Sequence, residues 1–169
     1  MDDPRLASWL KIARATSSSQ LWSGCATLIG CLRGVRHEQA LWVPPGARNS
    51  IWRLALHIAY CEYSARRTLT GIEQRGGFRR PGIDFPALPA DPDEKSWASD
   101  VALLKEEHEL LLQAIEGFDP QRLDDIPPRR ERWTYGQIIQ GVITHDIYHT
   151  AQIQVLKRLW RGRRSAEEA

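Results

Sequence analysis

Ile138, Val142, His145, His149, Ile153 and Leu156 recur at spacings of three and four, a period that an α-helix gathers onto one face. Two imidazoles therefore stand where such a helix would bury leucine. Four residues advance a helix by about 400°, so the rings of His145 and His149 leave the same side, roughly 6 Å apart along the axis. That separation suits two nitrogens closing on one metal ion, at about 2.0–2.1 Å each for zinc. A single histidine on an apolar face is more often a hydrogen-bonded core residue, but two at this spacing are harder to satisfy with ordinary acceptors. Metal binding then requires a third ligand from elsewhere in the chain.

The remaining patterns are also helical, and no convincing strand alternation lies between them. After Ser17, Ser18 and Ser19, which offer N-caps, Leu21, Cys25, Leu28 and Leu32 form a first stripe that fades near Gly34. The earlier stretch from Leu6 to Ala15 is either a separate turn or a lead-in, because Pro4 is expected to break any earlier helix. Asn49 or Ser50 caps a second helix running to about Leu69 and ended by Gly71, with a seam of Ile51, Leu54, His57 or Ile58, and Cys61. Residues 71–90, rich in glycine and proline, carry no helical period and read as a long crossover to the far end of the fold. Asp91-Pro92-Asp93-Glu94 reads as N-cap, proline and capping glutamate of a third helix with the stripe Trp97, Val101, Leu104, His108, Leu111 and Ile115. Trp133 or Thr134 opens a fourth, reaching about Trp160. Four amphipathic helices without an internal repeat predict an all-α bundle, and 169 residues suit a single domain spanning 1–169, with a basic tail at about 161–169.

Composition narrows the function. A net charge of +2 gives little attraction to phosphate, and no recognition helix with a basic face is present, so nucleic acid is not expected as a partner. The basic cluster of Lys157, Arg158, Arg161, Arg163 and Arg164 reads as complementing the negative end of the last helix. Cys25, Cys31 and Cys61 make an odd count without a CxxC motif, which points to a reducing compartment. With no leader and no apolar run long enough for a bilayer, a cytoplasmic protein without a membrane partner is expected.

Three further histidines compete for the role of third ligand. His37 falls in a polar turn and is expected to be solvated, and His108, among Lys105, Glu106, Glu107 and Glu109, is expected to find a hydrogen bond near the bundle edge. His57 sits among apolar residues with no obvious local partner. Ser50-Ile51-Trp52 leading to His57, Phe78-Arg79-Arg80-Pro81 with Phe85-Pro86-Ala87-Leu88-Pro89, and Thr134-Tyr135-Gly136 followed by His145-Asp146-x-x-His149-x-x-Gln152-Ile153 together resemble the DinB-like four-helix bundle metalloproteins. Thiol-dependent transferases of the bacillithiol and mycothiol type are related to that group. The resemblance covers roughly Gln20 to Leu159, and departs at Ala151, where many relatives carry glycine. It implies an up-down-down-up bundle, a homodimer, and a metal site of His57, His145 and His149.

Three neutral imidazoles leave coordination positions open, as in catalytic rather than structural sites. Zinc is the first expectation, with nickel, iron or manganese as alternatives, since nitrogen ligands discriminate weakly. Cys61, one turn after His57, reads as a fourth ligand, as a redox-sensitive neighbour or, more simply, as a small buried hydrophobe. Asp146 reads as a support for a neighbouring group or, more simply, as a surface or dimer-interface ion pair; Tyr60 and Tyr148 read as packing or as donors to substrate. The leading expectation is a metal-dependent enzyme acting on a small molecule, with a low-molecular-weight thiol as co-substrate in an S-transfer or isomerisation. The alternatives are a non-catalytic metal-binding stress-response or interaction protein and, more weakly, a zinc-dependent hydrolase with Asp146 in place of the usual glutamate base.

Overall fold

The computed structural model describes residues 3–15, 26–71, 77–128 and 132–167, with side chains through 163. Every regular element among these residues is helical: α1 (Pro4–Ala13), α2 (Leu28–Cys31), α3 (His37–Leu41), α4 (Ile51–Thr70), α5 (Glu94–Glu116), a 3-10 turn (Pro120–Arg122) and α6 (Tyr135–Glu167). No described helix is long and apolar enough to cross a membrane.

The ends of these helices follow from local chemistry. Pro4 begins α1 rather than breaking it, because its fixed φ suits the first helical position and Asp3 accepts from Arg5 N at 2.8 Å. Ser50 Oγ accepts from Arg53 N at 3.2 Å to open α4, and Gly71, at φ 63°, closes it in the left-handed conformation. The capping residue of α5 is Asp93, not Asp91: Asp93 Oδ1 accepts from Ser96 N at 2.7 Å, and Ser96 Oγ accepts from Asp93 N at 2.9 Å. Thr134 and Gln137 cap α6 in the same reciprocal way, at 3.2 and 2.9 Å. Of the first expected stripe, Leu28 to Leu32 is seen as the short α2 and its C-cap, whereas Ser17–Ser19, Leu21 and Cys25 lie outside the described residues.

α4 packs against both α5 and α6, and α1, α2 and α3 close the remaining sides. Apolar burial occurs in two clusters. One gathers Trp52, Leu54, Leu56 and Ile58 of α4, Trp97 and Leu104 of α5, and Ile153 and Leu156 of α6. The other gathers Ala65 and Leu69 of α4, Leu111 and Ile115 of α5, and Tyr135, Ile139 and Val142 of α6, together with Leu6 of α1. Read along the chain, α4 and α5 pass from the first cluster to the second, and α6 passes back. The connection between α4 and α5 must therefore return along the length of α4, about 30 Å for its 20 residues, which is why it is long.

Between the two clusters lies a band of buried polar residues: His57, Glu62 and Arg66 on α4, Glu107 on α5, and Asp146, His149 and Thr150 on α6. Arg66 and Glu107 form a buried ion pair, with Nη2 at 2.8 Å and Nε at 3.2 Å from the same carboxylate oxygen. Lys157 does not serve its own helix end, as the sequence suggested. Its ammonium crosses to the end of α2 and donates to Cys31 O at 2.6 Å and Arg33 O at 3.1 Å, where unpaired carbonyls carry negative partial charge.

Candidate metal centre

α4 and α6 bring His57, His145 and His149 to one point inside the polar band. His145 Nε2 lies 3.0 Å from His57 Nε2 and 3.1 Å from His149 Nε2, and the His57 and His149 ring centroids are 4.8 Å apart. An ion bonded at about 2.0–2.1 Å holds neighbouring donors about 2.9–3.4 Å apart for bond angles of roughly 90–109°. His145 Nε2 fits that span with each of the other two nitrogens.

The outer nitrogens explain which atoms face inward. His57 Nδ1 donates to the backbone oxygen of Asp84 at 2.6 Å, with the Asp84 carboxylate at 3.3 Å. His149 Nδ1 donates to Gln152 Oε1 at 2.6 Å. With a proton assigned to each Nδ1 by these acceptors, each Nε2 presents a lone pair to the common point, the orientation that outer acceptors impose on ligating histidines. His145 Nε2 thus faces two lone pairs, at 3.0 and 3.1 Å, an arrangement that needs a proton on His145 Nε2 or a cation among the three nitrogens. Burial, the leading cause, holds His149 down to about 4, so this ring is neutral, as a ligand must be.

Residues 77–93 supply what positions His57. Asp84 adopts φ 64°, a left-handed conformation that aspartate tolerates better than most residues, and so turns both its carbonyl and its carboxylate toward His57. Phe85 stacks on the His57 ring at 4.0 Å with 2° between planes, and the Arg53 guanidinium lies over the Phe85 ring, 5.6 Å from its centroid. Sequence reasoning placed Phe85-Pro86 in a motif but did not assign Asp84 or Phe85 to His57. The available signal was an aspartate in a glycine- and proline-rich turn, which carries too little information to locate a partner.

Cys61 Sγ sits 3.8 and 3.9 Å from the two nitrogens of His57, and its sulfur, with one nitrogen each of His57 and His145, falls within a 4.8 Å group. Sγ is nearly equidistant from both His57 nitrogens, beside that ring rather than along the Nε2 lone pair. Burial pushes its thiol up to about 12, which keeps it protonated at neutral pH. A cavity of about 400 Å³ reaches His145 and is lined by Tyr60, Cys61, Ser64, Asp84 and Trp133 among others. The site is therefore reached from one side at His145, past hydroxyl, thiol and aromatic groups, while His57 and His149 stay buried.

The other expected residues fall elsewhere. His108 lies outside the three-histidine group and bonds Glu62 Oε1 at 2.6 Å and Ala13 O at 3.2 Å. His37 opens α3 and is held by Glu94 Oε2 at 2.9 Å rather than merely solvated. Asp146 is buried, not in a surface ion pair, with its Oδ1 3.7 Å from His145 Nδ1. Tyr148 is exposed, whereas Tyr60 lines the cavity. Of the tryptophans, Trp52 and Trp97 pack in the core and donate to Asp100 and to Val35 O, each at 2.8 Å, and Trp133 is exposed.

The described residues form an all-helical fold that carries clusters of histidine, cysteine and carboxylate groups compatible with a divalent metal. Residues 25–153 match the DinB superfamily, and the chain belongs to it. No curated protein and no solved structure matches the sequence significantly.

Proposed function

We propose that the protein is a metal-dependent enzyme in which His57, His145 and His149 hold one divalent transition metal, zinc first, and that it transfers or isomerises a low-molecular-weight thiol adduct. The observation that carries the metal is the convergence of His57 Nε2 and His149 Nε2 on His145 Nε2, at 3.0 and 3.1 Å, while the outer nitrogens of His57 and His149 are bound to oxygen. We further read the chain as a single-domain four-helix bundle of up-down-down-up order; the return of α6 along the shared direction of α4 and α5 supports this. The reading also includes a homodimer, for which exposed Ile147, Tyr148, Val155 and Leu159 on α6 provide apolar surface.

When bound, a divalent ion supplies Lewis acidity and a place for an anionic ligand such as a thiolate. The chain's own residues do the rest. Asp84 and Gln152 hold the imidazoles in the tautomer that points Nε2 inward. Phe85 covers one face of His57 and excludes water from it. Tyr60 and Ser64 offer hydroxyl groups to a molecule in the cavity. Cys61 lies beside the His57 ring rather than along its Nε2 lone pair, which leaves the reacting sulfur to come from the ligand.

The test uses cobalt-substituted protein. Bacillithiol, mycothiol, glutathione or cysteine should produce a sulfur-to-cobalt charge-transfer band that His149→Ala abolishes. If no thiol perturbs the spectrum while small anions do, the hydrolytic reading replaces the thiol one; if neither does, the non-catalytic metal-binding reading replaces both.

A further inference from the structure

The three-histidine site leaves a second group of buried ionisable residues unused. Glu62 on α4, His108 on α5 and Asp146 on α6 each direct one ligand-type atom to a common region, all within 4.8 Å of one another. Glu62 is 0% exposed and Asp146 is 7% exposed. Glu62 Oε2 and Asp146 Oδ1 both lack a hydrogen-bond donor. Burial, the leading cause, pushes the Glu62 carboxyl above the usual carboxylate range, and the proximity of Asp146 comes next. The adjacent Glu107 is matched by Arg66 at 2.8 Å, so that pair cancels itself and leaves these two acids to be neutralised otherwise. Buried carboxylates in such a place must gain protons or a cation.

His108 favours the cation. Its Nε2 donates to Ala13 O at 3.2 Å, so Nδ1 is the nitrogen that meets Glu62 Oε1, at 2.6 Å, in a hydrogen bond whose proton a bound cation would replace. His57 and His149 show the same arrangement, one nitrogen donating to an oxygen and the other facing a shared point. An imidazolium at His108 would neutralise one carboxylate and leave the second uncompensated, whereas one dication neutralises both. A small cavity of about 40 Å³, lined by His108, Asp146, Thr27 and Thr150, adjoins the group and has room for a water molecule beside an ion.

We propose that Glu62, His108 and Asp146 form a second divalent-cation site, distinct from the three-histidine site, for a first-row ion such as manganese that accepts two carboxylate oxygens and one imidazole. The proposal does not depend on the enzymatic reading. The His145 ring separates the two sites, with Nε2 in the three-histidine group and Nδ1 3.7 Å from Asp146 Oδ1.

The experiment titrates chelator-treated full-length protein with Mn²⁺ and follows the free ion by electron paramagnetic resonance. The wild type should bind two ions per chain, and Glu62→Gln, His108→Leu and His149→Ala should each bind one. A single ion that survives His149→Ala but not His108→Leu would support this site and overturn the three-histidine one. A single ion lost in His149→Ala and retained in both Glu62→Gln and His108→Leu overturns the proposal, and the two acids then share a proton. No binding in the wild type overturns it as well. Should Glu62→Gln and His108→Leu both unfold the chain, the wild-type count decides, two ions supporting the second site and fewer overturning it.

Discussion

Replacing Gln152 with alanine removes the acceptor that faces His149 Nδ1 at 2.6 Å. The loss falls mainly on the metal-bound state. Without metal, the imidazole is free to move its proton to Nε2; with metal, Nε2 is occupied and the Nδ1–H is left in a buried site without its acceptor. An orphaned buried donor costs about 1–3 kcal/mol, which converts to roughly 5- to 150-fold in Kd, in line with the 10- to 100-fold loss typical of outer acceptors on ligating histidines. Gln152 is itself half-buried and not part of either apolar cluster, so folding stability should change little. Zinc competition against a chromogenic chelator at pH 7.5 measures the effect, and Gln152→Glu, which keeps an acceptor at that position, should restore wild-type affinity. Wild-type affinity within twofold in Gln152→Ala would refute the claim that this contact holds His149 for metal.

Glu107→Ala strips the buried Arg66 guanidinium of its carboxylate and should lower stability by about 3–5 kcal/mol, read from the urea midpoint; Asp124→Ala, whose partner Arg5 lies in solvent, should leave that midpoint unchanged. Gly136→Ala should cost about 1–3 kcal/mol in thermal denaturation, because a Cβ there comes to 3.1 Å from the backbone oxygen of Leu123 and 3.4 Å from Trp9. Ser96 holds the Asp93 carboxyl below its ordinary value of 3.8. The stabilisation from that contact is therefore complete above pH 3.8 and disappears as the pH falls through the lower folded-state value; acid titration of Ser96→Ala should show a smaller loss of stability between pH 5 and pH 2 than the wild type shows.

What the sequence disclosed depended on how local the cause was. α4 was legible nearly to the residue because Ser50 and Gly71 act on their own helix, and the period around His145 and His149 placed both rings on a buried face. The α5 start was displaced by two residues because Asp91-Pro92 and Asp93-x-x-Ser96 are competing caps of similar form, and only the fold decides which one the chain uses. Pro4 was misread for a related reason: the same fixed φ that ends a helix from inside begins one at its first position. The polar band could not be read. Glu62, Arg66 and Glu107 look like ordinary solvated charges on amphipathic helices, and they are buried because α4 is enclosed on several sides, a property of the assembly rather than of the local pattern. Lys157 and Asp84 belong with them, since each acts on a backbone oxygen or a ring distant in sequence. His57 became legible only through the motif shared with a family, not through spacing.

Anomalous diffraction from crystals of zinc-loaded protein, collected on both sides of the zinc edge, tests the central claim most directly. The account predicts a peak bonded to Nε2 of His57, His145 and His149 at about 2.0–2.1 Å from each, with Asp84 O and Gln152 Oε1 still on the outer nitrogens. Absence of any zinc peak among these three rings at saturating zinc, or a peak bound through Cys61 with His149 turned away, would contradict it.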